Sequence, residues 1–348
     1  MNNQMNHSRI FWEKTDKQEA VILRAFGSSP AVWIPGHIGR YPVTGLSDYC
    51  FAPECRLPDT YLDSHVNAGA GWKAADCLAF DASPDMLAEL CGSYPETIYL
   101  PDTLKTIGSY AFYNCCSLTE ISFGQALEQI GSDAFMNCRQ LHKLTVRCPV
   151  SEKTCLQRML AQISWDAEVS FIGFSSGFCQ NPVPESVIFY PEYSELYDEI
   201  TPAHVFGRSI DGEGFRARQA FRDGIVDFSQ YDKIFPKASA EESALTVCRL
   251  AFCRLQYPAG LSDSMRGQYE TYLLHHGTVL CKYLIQNRQL EQLHFLFQKK
   301  LLSLPSVADC LSLAVQSGWS EGSTSILHWK QCYYPEKKRS RYVFDDFN

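Results

Sequence analysis

The sequence lacks the features that would direct it to a membrane, to nucleic acid or out of the cell. Residues 1–16 are polar and contain no apolar core of a signal peptide. The apolar run at 20–23 is interrupted by Arg24, and no stretch approaches the length of a membrane span. Lys and Arg number 31 against 39 Asp and Glu, a net charge of −8, whereas nucleic acid and anionic membranes favour a basic surface. We therefore expect a soluble cytoplasmic protein with no nucleic-acid partner and no membrane insertion.

The cysteines do not have the pattern of a disulfide framework. There are 15, an odd number, in a chain of 348 residues with no export signal. Their pattern favours reduced, mostly buried small hydrophobic side chains. The pairs Cys50/Cys55 and Cys248/Cys253 lack the matching second pair that a structural zinc site requires. The sequence thus predicts no metal site and no cofactor.

Motifs of catalysis are also missing. The chain contains neither a Gly-x-Ser-x-Gly elbow nor an HExxH motif. His275 and His276 are predicted at a helix C-terminus, where capping or simple exposure explains them. Residues 211–214 resemble the start of a calcium loop, but 215–218 place hydrophobic and cationic groups where oxygen ligands are needed. We expect no catalytic residues and no enzyme activity.

An internal repeat is the most informative feature that is present. Residues 98–118 and 121–141 align without a gap at a spacing of 23 residues, which is typical of a solenoid. The pattern L-x-x-L-x-L at 118–123 and 141–146 predicts a short strand with alternate residues in the core. The remaining positions that recur are predicted as an apolar wall, a tight bend, a polar turn and a buried thiol ladder: Ile107/Ile130 with Ala111/Ala134 and Phe112/Phe135, Gly108/Gly131, Asn114/Asn137 and Cys115/Cys138.

The repeat pattern extends in both directions. Residues 98–120 and 121–143 are the clean copies, and 32–52 is a variant copy with a five-residue insertion. Residues 53–97 are an insertion or a degenerate repeat, with a strand at 78–80, Leu87 in the wall and a helix starting at Ser83-Pro84. An amphipathic helix is predicted over 151–165 and a last strand over 169–171. Together these define a repeat domain at 30–175, preceded by an N-terminal strand or cap at 1–29.

The C-terminal half has helical periodicity. A linker at 176–190, containing 180–184, is predicted to lead into an α-helical domain at 191–335, with a tail at 336–348 that includes the mixed-charge segment 337–341. Ser239 and Glu242 form a capping box before an apolar-periodic run that Pro258 ends. Ser306 and Asp309 are predicted to cap another helix, which Gly318 ends. Helices over 280–285 and 290–297 complete two helix–turn–helix units between about 275 and 330. The predicted fold class is α+β.

The repeat motif Ile-x-x-Ile-Gly-x-x-Ala-Phe-x-Asn-Cys-x-x-Leu closely resembles the BspA-like leucine-rich repeats of bacteria, and 32–46 resembles their opening unit. Residues 273–277 and 311–318 more weakly resemble ankyrin repeats. The resemblance implies a short, β-rich leucine-rich-repeat solenoid followed by ankyrin-like helix pairs. It also implies a bacterial interaction protein, in a family whose members are often exported.

Two surfaces are candidate binding sites. The first consists of strand positions that point away from the predicted core: Thr97, Tyr99, Thr119, Glu120, Ser122, His142, Lys143 and Thr145. The second is a local basic cluster of Arg208, Arg216, Arg218 and Arg222, interleaved with aromatic residues. The alternative for the first is an ordinary solvated sheet face. For the second it is a set of ion pairs with the acids at positions 211, 213, 223 and 227.

The expected function is a non-catalytic protein–protein interaction module with an unknown protein partner and an open oligomeric state. Repeat solenoids present extended surfaces to partners, and no catalytic constellation is visible. An enzyme of unrecognised type with a site in an interdomain groove is one alternative, because such grooves commonly hold ligands. A cell-surface adhesin, which the resemblance permits, is another.

Overall fold

The structure, a computed structural model, describes residues 6–54, 57–68, 87–173, 183–200 and 205–335. The chain divides into two compact units, Met1–Ala238 and Ser239–Asn348, and each is described by itself. The predicted strand at 78–80, the helix start at 83–84, linker residues 180–182 and the tail at 336–348 lie outside the described residues. Within the described ranges, no helix combines the length and apolarity that crossing a bilayer requires.

The first unit is mainly β-structure. Its strands in chain order are β1 (Asn6–Lys14), β2 (Ala20–Gly27), β3 (Ala31–Trp33), β4 (His37–Ile38), β5 (Tyr41–Leu46), β6 (Leu62–Ala68), β7 (Ala88–Glu89), β8 (Thr97–Tyr99), β9 (Thr106–Ile107), β10 (Glu120–Gly124), β11 (Gln129–Ile130), β12 (Lys143–Arg147), β13 (Ala167–Phe171), β14 (Ser186–Tyr190), β15 (Ser194–Ile200), β16 (Val205–Asp211), β17 (Phe221–Arg222) and β18 (Ile225–Val226). Short helices accompany them: α1 (Leu156–Leu160), α2 (Gly214–Ala217), α3 (Phe228–Asp232) and α4 (Phe235–Glu241), the last spanning the division between the units.

The repeat strands form one sheet in the order β14-β13-β12-β10-β8-β3, parallel except for β14. Equivalent positions are in register, so Ile98 lies beside Ile121 and Ile121 beside Leu144. Val32 pairs with Ile98, which confirms the variant copy. Because β3 lies directly beside β8, residues 53–97 insert no strand between them. The variant copy and the first clean copy are therefore direct neighbours in this sheet.

A ladder of aromatic rings and thiols fills the solenoid. Phe112 stacks on Phe51 at 5.2 Å and on Phe135 at 5.4 Å. The Cys115 thiol donates a hydrogen bond to the Phe51 carbonyl at 3.3 Å, and Cys138 donates to the Phe112 carbonyl at 3.0 Å. A hydrogen bond with Cys138 and burial raise the pKa of the Cys115 thiol. The predicted buried thiol ladder is confirmed.

The close spacing of neighbouring repeats depends on glycine at the bends, where two backbones approach each other. A Cβ on Gly131 would lie 2.3 Å from the backbone nitrogen of Ser109, and one on Gly108 would meet backbone at 2.4 Å. Asn114 and Asn137 adopt positive φ values of 59° and 66°, which Asn tolerates better than most residues. The Asn137 amide donates to the Asn114 side-chain oxygen at 2.7 Å, so the turns are linked as well.

The N-terminal segment closes one end of the solenoid. The hairpin of β1 and β2 joins the second sheet, in which β2 pairs parallel to β5. In the same sheet β5, β9 and β11 align the apolar wall residues Leu46, Ile107 and Ile130. Strand β6, from the insertion, extends this sheet by pairing antiparallel with β1. The insertion therefore enlarges the cap.

The C-terminal end of the solenoid differs from the prediction in three places. The predicted α-helical domain at 191–335 begins too early, because β15 pairs antiparallel with β16 and β17 with β18, and the first unit extends to Ala238. The predicted strand at 169–171 forms β13, but the helix over 151–165 is reduced to the five residues of α1. Beyond α1, the Gln162 side chain accepts from Ala134 N at 2.8 Å and donates to Gly131 O at 2.9 Å, which ties this segment to the last clean repeat. Residues 186–190, predicted within a linker, instead form β14, which is buried because it pairs antiparallel with β13.

The second unit is helical. Its helices are α5 (Ala244–Gln256), α6 (Asp263–Gln286), α7 (Leu290–Gln298), α8 (Leu304–Gln316) and α9 (Ser320–Tyr333). The predicted helix–turn–helix units are formed, and α8 ends before Gly318, whose φ is +66°. The ankyrin likeness of these pairs stays a prediction.

Three local predictions in this unit were wrong. The N-cap of α5 is Ser243, whose hydroxyl accepts from Thr246 N at 3.1 Å. The N-cap of α8 is Ser303, whose hydroxyl accepts from Ser306 N at 3.3 Å. Ser239 belongs to α4, because the chain makes an extra helix before α5. Ser306 lies within α8, since the true cap stands three residues earlier. The sequence pair at 275–276 lies inside α6, which is 24 residues long, and not at its end.

Candidate functional site

The strands of the repeat sheet bring two rows of outward side chains together. Because the strands are parallel and in register, each repeat adds one residue to each row. We call these rows the strand face: Ala31, Thr97, Glu120, Lys143 and Glu168 in the first row, and Trp33, Tyr99, Ser122, Thr145 and Ser170 in the second. Six of the eight predicted face residues lie in it. Thr119 and His142 lie in the turns immediately before β10 and β12.

One end of the strand face is aromatic. Trp33 stacks on Tyr99 with ring centroids 3.7 Å apart and planes 11° from parallel. Trp33 keeps 37 % of its surface exposed, whereas Tyr99 is half-buried. Burial, followed by the nearby charge of Glu120, raises the pKa of the Tyr99 hydroxyl, so it is a neutral hydrogen-bonding group. The prediction omitted Trp33, although the alignment of 32–34 with 98–100 contained the information that would have placed it beside Tyr99.

The centre of the strand face is polar and internally bonded. Thr145 donates to Glu120 Oε1 at 3.1 Å. Arg147 Nη1 donates to Ser122 Oγ at 2.5 Å, and Arg147 Nε donates to Asp102 Oδ1 at 2.9 Å. Ser122 is only 2 % exposed, so a partner cannot reach it directly. Arg147, which the sequence prediction omitted, covers Ser122, and its nitrogens donate to Ser122, Asp102 and the Leu100 carbonyl.

Two predicted residues hold the turns between strands. The Thr119 hydroxyl donates to the Glu96 carbonyl at 2.9 Å, and His142 Nδ1 lies 2.7 Å from the Asp166 carbonyl oxygen. Both contacts link one repeat to its neighbour, which gives these residues a structural role. Lys143 is exposed in the first row of the strand face.

The predicted basic cluster does not form an open cationic patch. Three of its arginines form ion pairs within the unit: Arg208 with Glu195 at 2.7 Å, Arg216 with Glu213 at 3.6 Å, and Arg222 with Asp227 at 3.0 Å. The pairs with Glu213 and Asp227 are among the alternatives expected from the sequence. The positive charge of these side chains is thus partly compensated inside the molecule.

Arg218 has a structural position. It is 2 % exposed and donates to the carbonyls of Trp165 at 2.7 Å, Ile163 at 2.8 Å and Gly214 at 2.9 Å, and also to that of Pro191. Burial lowers the pKa of the guanidinium to about 10. This arginine cannot serve as a binding group, because Nε, Nη1 and Nη2 all donate to carbonyls at the C-terminal end of the solenoid.

The described residues show neither a cluster of metal-binding side chains nor a disulfide. No group of three or more His, Cys, Asp or Glu side chains is close enough there to hold a metal ion. Cys50, Cys248 and Cys253 are buried and belong to no disulfide, and Cys55 lies outside the described residues. The remaining described cysteines also form no disulfide.

Comparison with known proteins identifies the repeats. Residues 90–179 match the family described as the BspA type leucine rich repeat region, whose model spans six copies. This part of the chain is similar to BspA-type leucine-rich repeats. Such repeat regions are typical of protein-interaction or surface repeat proteins, and folds of this kind are typically non-catalytic.

Two solved structures are similar to this chain. A leucine-rich cell surface protein from Faecalibacterium prausnitzii A2-165 is 19 % identical, with a TM-score of 0.25 over 49 % of this chain and 33 % of that one. The chain therefore spans about a third of that protein's length. The T. pallidum leucine-rich repeat protein is 18 % identical, with a TM-score of 0.22 over 47 % of this chain and 78 % of that one. No curated protein matches the sequence significantly.

Proposed function

We propose that this chain is a non-catalytic protein-interaction module and that its partner binds on the strand face. The observation that carries the proposal is the exposed Trp33 stacked on Tyr99 at 3.7 Å, beside a row of polar groups on the same sheet. Aromatic residues and arginine are enriched where proteins contact one another, and large aromatic side chains commonly carry much of the binding energy. Packing against Tyr99 holds Trp33 in place before any partner arrives, which reduces the entropy lost on binding.

The charges of the strand face restrict the partner further. Lys143 stands between Glu120 and Glu168 in the first row, so neither sign dominates. A partner of uniform charge would meet a like charge within one strand spacing. The face is therefore suited to a protein segment that places an apolar side chain on Trp33 and both donors and acceptors on the polar rows.

Site-specific photo-crosslinking tests the location. A photoreactive phenylalanine replaces Trp33 in one protein and Met136 in another, because Met136 is comparably exposed at 47 % and belongs to the repeat turns instead of the strand face. In cells of the native host, the probe at position 33 should capture a defined protein that the probe at 136 does not. Equal capture at both positions, or capture at 136 alone, would contradict the assignment of the surface.

Substitutions on the strand face then test how much each residue contributes to binding the captured partner. Trp33→Ala and the pair Tyr99→Ala with Lys143→Glu should each weaken binding by about tenfold or more, as loss of a central aromatic group does. Met136→Ala is the control and should bind normally. Circular dichroism must show unchanged folding in every variant. Full binding by both face variants would remove the strand face from consideration.

The proposal also places the protein in the cytoplasm. The described cysteines, many of them buried, form no disulfide, which is consistent with a reducing compartment. Fractionation of native cells followed by immunodetection tests this point. Recovery at the cell surface would favour the adhesin alternative and would overturn the proposed location.

A further inference from the structure

Strand β3 is the last strand of the repeat sheet, and its backbone is paired on one side. Among the described strands, β3 pairs with β8 alone. Ile34 N donates to Tyr99 O at 3.0 Å across this pair, so Ile34 directs its backbone N–H toward β8. Because backbone groups alternate in direction along a strand, those of Ala31 and Trp33 are directed outward, away from β8.

Three of these outward groups can bind a further strand. The Ala31 N–H is already used, because it donates to Ser29 Oγ at 3.2 Å. The Ala31 carbonyl and the N–H and carbonyl of Trp33 make no hydrogen bond within the described ranges. Such unpaired groups on an edge strand are a template for another strand. Pro35, the next outward position, has no N–H and therefore limits pairing to this short stretch.

The indole ring of Trp33 is directed toward the same edge. One face of the ring is stacked on Tyr99 of β8, with the two ring planes 11° from parallel. The opposite face is therefore directed away from β8, toward the place of a further strand about 4.8 Å beyond β3. Trp33 is 37 % exposed, so this ring face can pack against a side chain directly opposite it on an added strand.

We propose that the partner protein adds an extended segment as a strand beside β3 and packs an apolar or aromatic side chain on the free ring face of Trp33. The inference rests on the proposed function, since it specifies how a partner is held at the strand face. The added segment accepts a hydrogen bond from Trp33 N–H and donates to the carbonyls of Trp33 and Ala31. In this mode of recognition the backbone bonds provide affinity, and the side chain on Trp33 provides specificity.

Nuclear magnetic resonance of the full chain, labelled with ¹⁵N-tryptophan, tests the backbone contact. The probe is the protein that the photoreactive residue at position 33 captures, and Trp33→Phe assigns the Trp33 amide signal. Binding should slow hydrogen exchange at this amide by about tenfold or more, because the N–H becomes hydrogen-bonded. The amide of Trp12 in β1 is the control and should exchange at the same rate with and without the partner. An unchanged rate at Trp33 in the saturated complex would overturn strand addition and leave the proposed function standing.

A synthetic peptide of the crosslinked partner segment tests the pairing from the other side. In an added strand, two amides that are two residues apart donate to β3, and the amide between them faces away. N-methylation of either donating amide should weaken binding by about tenfold, whereas methylation of the amide between them is the control and should change little. Equal losses at the three positions, or a peptide that does not bind, would contradict a paired strand. Failure to capture any protein at position 33 would reject the proposed function, and this inference with it.

Discussion

The two units differ in the atoms that come closest where neighbouring elements pack. In the first unit the repeats approach backbone to backbone, since a Cβ on Gly131 would lie 2.3 Å from Ser109 N. In the second unit the close approach is made by side chains, since a Cβ on Gly277 would lie 2.7 Å from Leu302 Cδ2. Backbone cannot move aside without breaking the neighbouring turn, whereas a leucine methyl can. The repeat unit should therefore tolerate less change at its glycines.

Both units nevertheless use the same small buried side chain where neighbouring elements meet. Cys115 and Cys138 are hydrogen-bonded in the solenoid, and a hydrogen bond with Cys310, together with burial, raises the pKa of the Cys281 thiol in the helical unit. Each pair joins equivalent positions of stacked elements. Buried thiol pairs here follow from stacking and not from disulfide formation.

The largest loss of folding stability is expected from Gly131→Ala in the first unit. We expect a loss of about 3 kcal/mol or more, because the added methyl group meets backbone that cannot relax locally. Gly277→Ala should change stability by about 1 kcal/mol or less, since the overpacking is offset by the better helix propensity of alanine. Hydrogen exchange resolved by peptide, as denaturant is added, measures each unit separately.

The matched control for both is Gly267→Ala. Gly267 lies in α6 with nothing within 4 Å of the added Cβ, so alanine should stabilise by about 0.5–1 kcal/mol. Equal destabilisation by Gly131→Ala and Gly277→Ala would remove the distinction between backbone and side-chain stacking.

Arg218→Met should have the next largest effect. The substitution leaves the buried carbonyls of Ile163, Trp165 and Gly214 without their donor, and each unpaired buried acceptor costs about 1–3 kcal/mol. We expect a total of about 3 kcal/mol, confined to the first unit. Arg216→Met, at a side chain 60 % exposed, should change stability by about 0.5 kcal/mol or less. A similar loss in both variants, by urea unfolding, would show that Arg218 has no special role.

A helix cap gives a moderate effect in the second unit alone. Ser243→Ala removes the acceptor for Thr246 N and should cost about 1 kcal/mol, whereas Ser243→Asp keeps an acceptor and should cost little. Exchange rates in α5 report the change. If Ser243→Ala leaves them unaltered, the cap assignment is wrong.

The smallest expected effect is a pH-dependent change in the stability of the first unit. A hydrogen bond from Lys105 at 2.6 Å lowers the pKa of the Glu19 carboxyl. Since the folded pKa lies below the unfolded one, the stabilisation is present above the ordinary pKa of glutamate and is lost as pH falls through the lowered value. Glu19→Gln should therefore be slightly less stable than the wild type at neutral pH, and the difference should disappear in acid.

Glu54→Gln, at an exposed carboxyl, is the control for this measurement and should follow the wild type throughout. Exchange in α5–α9 should be the same in all three proteins, since Glu19 belongs to the other unit. A stability difference that persists at low pH would show that charge is not the source of the effect.

Much of the repeat fold could be predicted because equivalent residues make the same contacts in each copy. The alignment of 98–118 with 121–141 gives the strand register, the wall and the thiol ladder, as the pairing of Ile98 with Ile121 confirms. The structure at the C-terminal end of the solenoid was harder to predict. The Gln162 side chain ties the last clean repeat to the segment after α1 through Ala134 N and Gly131 O, and no periodicity predicts such a contact.

The candidate site was predicted in part for the same reason. Strand positions that alternate with core residues could be placed on one face, and Tyr99, Glu120 and Lys143 lie there. The prediction missed Trp33 because its copy is separated from the others by a long insertion. It missed Arg147 because an arginine's reach across strands is not visible in a one-dimensional pattern.

By itself the sequence determined the repeat period, the register of its copies and the reduced state expected of its cysteines. These depend on local spacing, which each copy repeats. Only the tertiary structure decided that Arg218 is buried while Trp33 is exposed. The physical reason is that the burial of a charge or an aromatic ring depends on which distant segments cover it, and neighbours in sequence do not specify that.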